Sequence, residues 1–266
     1  MLPSKFQSVH HLRLSRNTGF TGACNVGLRS AFLEGADFVL LLNNDTTVGS
    51  TLISDLLQVA RRFGPRVAVS PRIVWFDDPQ RDWYLGGRID RWTGIPTLLD
   101  SSQLESALEA DPVALDTEWL SGCAMLLSRD AYTGAGEFSG DYFSGYEDID
   151  LSLRLARNGY RLLVARSAIV NHRISATIGG TGFQRFFDAR NRLLFLRSHG
   201  QRGAAGYQSV RMLGGAVKHG IKALIRGNRP EFARRLFDGV GAFAFLVGQR
   251  GDAPPIIWSL GSRRIR

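Results

Sequence analysis

Six side chains have types and spacings that could do chemistry: Asn43 and Asp45, then Glu147, Asp148 and Asp150, then His172. Asn43 and Asp45 follow directly on the apolar run Phe38-Val39-Leu40-Leu41-Leu42, so polar chemistry begins where a strand should end. An N-x-D of this kind offers a pair of hard-cation ligands, with Asp45 the only full charge. Strand alternation would turn residues 43 and 45 to the same side. Asn-Asn-Asp is also a good turn, and taken alone these residues favour that plainer reading. Glu147, Asp148 and Asp150 head a helical pattern, where the helix dipole favours acids for purely structural reasons. What sets them apart is the approach, Phe138-Ser139-Gly140-Asp141-Tyr142-Phe143-Ser144-Gly145-Tyr146, whose composition suggests a mobile loop. A carboxylate presented in this way suits general base work. His172 ends a strand pattern after Asn171; it reads as an ordinary packed histidine or, with an Asp nearby, as a metal ligand.

The elements that must position these groups follow from periodicity. Residues 9–14 read as a strand, residues 21–34 as a helix ending at Gly35, and residues 38–42 as a strand buried on both faces of a parallel sheet, completing a βαβ unit. In open α/β sheets ligands bind beyond the carboxyl ends of the strands, which is where Asn43 and Asp45 fall. A second helix begins near Ser50, a candidate cap, with Leu52, Leu56, Val59 and Ala60 at helical spacing. Residues 67–71 form the next strand, and residues 72–118, with Trp75, Trp83 and Trp92 among glycines, read as an excursion outside the core. Residues 119–127 return to a buried strand, residues 147–157 to a helix closed by Asn158-Gly159, and residues 160–165 and 168–172 to a strand pair. Three helical stretches follow. In the second, Val210, Leu213, Val217, Ile221 and Leu224 form one stripe flanked by Arg211, Lys218, Lys222 and Arg226.

The composition, 44% hydrophobic and 21% charged, is that of a globular protein. Its charge of +9 is uneven: residues 1–180 hold 17 Lys or Arg against 20 Asp or Glu, whereas residues 181–266 hold 16 against 4. A basic tail implies an anionic partner, a phosphate-bearing lipid or a nucleic acid; the apolar stripe argues for a membrane face or the protein core and against nucleic acid. Cys24 and Cys123 are far apart without CxxC spacing, which argues against a zinc site or disulfide framework and fits a reduced, cytoplasmic setting. Met1-Leu2-Pro3-Ser4-Lys5 lacks the apolar core of a signal peptide, and no apolar run approaches the ~20 residues of a membrane span. The expectation is a protein at the inner face of a membrane rather than within it.

In order, Asn17-x-Gly19-Phe20 with Asn25, Leu41-Leu42-Asn43-Asn44-Asp45-Thr46, Gly122-Cys123-Ala124-Met125, Tyr146-Glu147-Asp148-Ile149-Asp150, Ala168-x-Val170-x-His172 and Arg190-Asn191 resemble the GT-A glycosyltransferases of family 2, in particular the rhamnosyltransferase-like branch. The resemblance covers residues 12–199. It implies an α/β GT-A (nucleotide-diphospho-sugar transferase) fold over residues 1–199 and a C-terminal basic, amphipathic helical tail over residues 200–266. It further implies donor binding by Asn17, Gly19, Asn25, Asn43 and Asp45, and a Mg²⁺ or Mn²⁺ ion held by Asp45 and His172. Asp148 would be the base that deprotonates the acceptor hydroxyl, and Glu147 would orient that acceptor. The expected reaction is inverting transfer of a sugar, rhamnose being one candidate, from a nucleotide-diphosphate donor to a cell-surface glycan or lipid-linked acceptor. The family domain normally opens with a nucleotide-gripping strand and loop before the segment at residues 9–14, so an N-terminally incomplete domain is expected. The alternative is a non-catalytic remnant serving as a peripheral membrane or partner-binding protein. A nucleotidyltransferase, the other rival, would need a Gly-rich phosphate loop that the sequence lacks.

Overall fold

A computed structural model describes residues 9–173 and 182–261; the opening Met1-Leu2-Pro3-Ser4-Lys5 and the tail's Arg263, Arg264 and Arg266 lie outside the described residues. In chain order the elements are α1 (Gly19–Leu33), β1 (Phe38–Leu42), β2 (Thr46–Val48), α2 (Leu52–Phe63), β3 (Val67–Trp75), β4 (Asp78–Tyr84), β5 (Gly87–Ile89), β6 (Pro96–Leu98) and α3 (Ser101–Ala110). These are followed by β7 (Ala114–Asp116), β8 (Ala124–Ser128), α4 (Arg129–Ala135), α5 (Glu147–Arg157), β9 (Arg161–His172), α6 (Gly182–Ser198), α7 (Arg202–Ile225), α8 (Arg229–Leu246) and α9 (Pro255–Gly261).

One mixed sheet runs in the order β1-β8-β3-β9-β2, with β4 on the far end of β3 and β7 on β9. β3 and β9 are parallel, and the other pairings are antiparallel. The sheet has helices on both faces: Leu52, Leu56, Val59 and Ala60 of α2 join one core, and Leu28 and Phe32 of α1 with Leu151 and Leu155 of α5 join the other. β1 departs from its expected place. Phe38 and Leu40 pack into the α2 core and Val39 and Leu41 into the α1 core, so both faces are covered. The strand is nevertheless an edge, paired antiparallel to β8, and Leu42 is 41% exposed.

The expected strand at residues 9–14 is irregular chain, with Val9 and Leu12 exposed. No described strand runs beside it to complete its backbone hydrogen bonds, so the apolar alternation has no ladder to join, and the βαβ unit does not form. The Ser50 cap is also not made; Thr51 precedes α2 without a side-chain cap. The expected strand pair at residues 160–172 is one strand. Its ladder with β3 slips between Pro71 and Arg72, jumping from Ala165 to Ile169, where proline supplies no N–H. Residues 72–118 are only partly an excursion: β4 and β7 widen the sheet, and Tyr84, Ile89, Ala114 and Leu115 are buried.

The C-terminal helices pack on one another and on the α5 side of the domain, where Phe195 of α6 meets Ile149 and Leu153. Leu193, Leu194 and Leu196 of α6 share a core with Ala204 and Ala205 of α7, Ala242 and Phe245 of α8, and Tyr142 from the loop before α5. Packing is therefore continuous across the boundary expected at residue 200. No described helix is long and apolar enough to cross a membrane. The α7 stripe is largely uncovered: Val210, Val217, Ile221 and Leu224 are 54–71% exposed. Leu236, Phe243 and Val247 of α8 are likewise exposed. At ~100° per residue both stripes lie on the same side of the antiparallel α7–α8 contact, which is marked by Gly239 against Ala216.

Candidate active site

β1 stops at Leu42, and residues 43–45 turn, with the Thr46 hydroxyl donating to the Asn43 carbonyl at 2.6 Å. Alternation along the strand therefore does not reach Asn43 and Asp45; the turn aims them. β2 then pairs Thr46 with His172 at the end of β9, and the Arg173 amide donates to the Asp45 carbonyl at 2.9 Å. This pairing brings together two side chains 127 positions apart: His172 Nε2 lies 3.3 Å from Asp45 Oδ1. His172 is buried with Trp83 packed edge-on against its ring, 4.8 Å between centroids. Among the described residues no cluster of three or more His, Cys, Asp or Glu stands ready for a metal, so the protein offers two ligands at this point. They fit a shared ion. Asp45 Oδ1 is buried without a hydrogen-bond partner, and its 3.3 Å separation from His172 Nε2 is close to the ~3 Å between adjacent ligands of an octahedral ion at ~2.1 Å.

The second half of the site abuts the first. The Asn43 amide donates to the Cys123 carbonyl at 2.9 Å, and the neighbouring Gly122 amide donates to Asp148 Oδ2 at 2.8 Å. Cys123 feels both groups: burial, then the charges of Asp45 and Asp148, push its thiol up to about 12. Asp148 Oδ1 accepts the Ile149 amide at 2.9 Å, so each carboxylate oxygen is oriented by one N–H and keeps a free lone pair. Burial pushes the Asp148 carboxyl above its ordinary value. Its neighbour Glu147 is buried deeper, and burial followed by the Asp148 charge raises it to about 8. Glu147 Oε2 has no hydrogen-bond partner. The turn into α5 is strained: Tyr146 is the one described non-glycine residue with positive φ, at 72°, a conformation that clusters at functional sites.

The loop before α5 is not mobile in the way its composition suggested. Phe138, Tyr142 and Phe143 are buried. The Asn25 side-chain amide donates to the Phe138 carbonyl at 2.9 Å and its oxygen accepts the Phe138 amide at 3.0 Å. At the other end Asn191 of α6 donates to the Ser144 and Gly145 carbonyls at 3.0 and 2.7 Å. Asn25, expected at the donor, is thus committed to holding the loop. Gly19 is confined by the same loop, since at φ +72° a Cβ would stand 2.2 Å from the Phe143 carbonyl oxygen. Asn17 accepts the Gly19 amide at 2.9 Å and is exposed.

Sequence reasoning gave Asp150 no separate role. Its carboxylate meets His199 Nε2 at 2.8 Å and Arg154 Nε at 2.9 Å. Burial raises this carboxyl, but the His199 hydrogen bond and the Arg154 charge hold it below the usual range. Arg154 reaches on to the Ala135 and Glu137 carbonyls. Asp150 therefore locks α5 to α6 and to the start of the loop. The Arg190-Asn191 pair was visible as a motif, but its purpose required knowing which backbone it meets.

A mixed sheet with helices on both faces, a strand-end turn carrying Asp45 and an acidic helix start opposite it define the GT-A class. A solved structure of GalNAc-T7 with UDP, GalNAc and Mn²⁺ superposes with a TM-score of 0.50 over 61% of this chain and 32% of that one, at 16% identity. Residues 2–132 match the model of glycosyl transferase family 2. The N-acetylglucosaminyl-diphospho-decaprenol L-rhamnosyltransferase of Mycobacterium tuberculosis is 28% identical over 160 residues, 54% of this chain and 49% of its own. The low-salt glycan biosynthesis hexosyltransferase Agl10 of Haloferax volcanii is 25% identical over 199 residues, 70% of this chain and 59% of its own. The chain spans about half the length of the curated relatives it matches. Fold and sequence together make this chain similar to the glycosyltransferases, and residues 2–132 to those of family 2.

Proposed function

We propose that the chain transfers a sugar, rhamnose being one candidate, from a nucleotide-diphosphate donor to a hydroxyl of a glycan or lipid-linked acceptor, with inversion. The observation that carries this is the meeting of Asp45 with His172 at 3.3 Å, one hydrogen-bonded step from the backbone that orients Asp148. Asp45 and His172 would hold Mg²⁺ or Mn²⁺, with Asn43 and Asn17 near the donor. When bound, the ion would neutralise charge on the departing diphosphate. Asp148 takes the proton from the acceptor hydroxyl as it attacks. Glu147, protonated near neutral pH, donates a hydrogen bond that orients the acceptor. Among the described residues Asp148 is placed as a base and no second carboxylate is placed as a nucleophile, which favours direct displacement from the opposite face.

The exposed α7–α8 face supports a peripheral contact with an anionic membrane surface. Apolar residues project from it, with Lys218, Lys222 and Arg226 on the flank, the composition of an interfacial helix pair.

Calorimetric titration with a panel of nucleotide-diphosphate sugars plus Mn²⁺ tests the donor reading. Binding of at least one donor should weaken at least tenfold in Asp45→Ala. A panel on which nothing binds would refute it.

A further inference from the structure

Beside the Tyr146 turn, between α6, α7 and α8, lies a cavity of about 770 Å³. Its charged lining comprises Arg185, Arg192, Arg211 and Arg235 against Asp188 and Asp238. The four cations are not equivalent. Asp238 meets Arg185 at 2.5 Å and Arg235 at 3.6 Å, and Glu231 meets Arg235 at 2.7 Å. Arg192 and Arg211 have no carboxylate within ion-pair distance among the described residues. Arg192 gives one N–H to the Met212 sulfur at 2.7 Å, and its Nε is buried without a partner. Arg211 gives Nε to Gln208 Oε1 at 3.1 Å. Each guanidinium has five donors in a planar fork, so the protein leaves most of them unused. Asp188 stands beside this pair, but burial pushes its carboxyl up to about 6, which weakens its hold on a neighbouring cation near that pH.

The cavity shares Tyr146 with the turn that presents Glu147 and Asp148, and the charges of Asp188 and Arg192 both act on Tyr146. A ligand seated here therefore lies beside the turn that presents Glu147 and Asp148, the two residues we propose act on the acceptor. Two guanidinium forks from different helices suit a multiply charged, multi-oxygen anion better than a single carboxylate. The volume exceeds that of a lone phosphate and leaves room for an attached sugar. We infer that this cavity is an acceptor subsite in which Arg192 and Arg211 hold a phosphate or diphosphate group on the acceptor. The inference rests on the sugar-transfer reading for the word acceptor, while anion binding by the two arginines stands independently of it.

The test is calorimetry on the whole chain with inorganic pyrophosphate in EDTA, which removes any metal-held anion site. The wild-type chain should bind, and Arg192→Gln with Arg211→Gln should lose about thirtyfold or more in affinity. The corresponding Lys pair should retain part of the binding, and Asp45→Ala should bind as wild type. Thermal melts confirm that each variant is folded; should the double variant fail to fold, Arg211→Gln, at an exposed position, carries the comparison. No pyrophosphate binding by wild type at millimolar concentration, or equal binding by the Gln variant, would overturn the inference. Farnesyl diphosphate binding more tightly than pyrophosphate indicates a lipid-borne group, and equal binding a soluble one; both require the arginines. Arginine-dependent pyrophosphate binding in a chain that binds no nucleotide sugar would sink the transferase reading and leave the anion site standing.

Discussion

Glu147 and Asp148 are adjacent in sequence and differ in environment, and the roles we propose for them rest on that difference. Asp148 is oriented by the Gly122 and Ile149 amides, whereas Glu147 is buried with one carboxylate oxygen unpartnered. Asp148→Asn should lower transfer at least ~100-fold while leaving donor affinity intact, read from initial rates beside calorimetry. Full activity would move the base to Glu147. For Glu147, raised from 4.5 to about 8, the folded state keeps a proton that the unfolded chain releases. Folding stability should therefore fall as pH rises across that window. Glu147→Gln should flatten this fall and be more stable than wild type at pH ~8 by a few kcal/mol, with little difference below pH ~4.5. Urea melts across the range check it; an unchanged slope would show that Glu147 is ionised throughout. Residue types and strand-end positions made Asp45, Glu147, Asp148 and His172 legible in the sequence. Asn25 and Asn191 were not legible in the same way, because a side-chain amide reveals its use only through a backbone partner 113 or 46 residues away.

At the scale of elements, the loop before α5 is a clamp built from α1 and α6. Asn191→Ala would strand the Ser144 and Gly145 carbonyls and should cost about 2–4 kcal/mol in stability. Its transfer rate should fall as well, since the Tyr146 turn loses its anchor; chemical denaturation with parallel rate measurements reads both. Retention of wild-type stability would mean that water replaces the amide. α2 was readable from period alone: its four buried positions are the four that its spacing selected, whereas α3, inside the stretch read as an excursion, was not. The sheet was less readable. A single run of apolar residues does not tell an edge strand packed on two faces from a central one, and the ladder slip in β9 originates in Pro71 on another strand. The strand expected at residues 9–14 failed because a strand is completed by a neighbour, which period cannot supply.

At the scale of the molecule, the charge asymmetry coincides with an uncovered apolar face. The chain should co-sediment with anionic vesicles at low salt, less so at high salt, and weakly with neutral ones. Val217→Glu with Ile221→Glu, two exposed positions, should abolish this without changing the thermal melt. Vesicle binding that is unaffected by these changes would assign the contact to another surface. The molecule as a whole juxtaposes the strand-end pair Asp45 and His172 with Asp148 at a helix start, and we propose that they act in one reaction. The most direct measurement is release of nucleoside diphosphate from a panel of nucleotide-diphosphate sugars with Mn²⁺, comparing wild type with Asp148→Asn. The account predicts release from at least one donor that requires the divalent ion and drops at least ~100-fold in the variant. Release that persists in Asp148→Asn, or no release from any donor at any divalent-ion concentration, would contradict it.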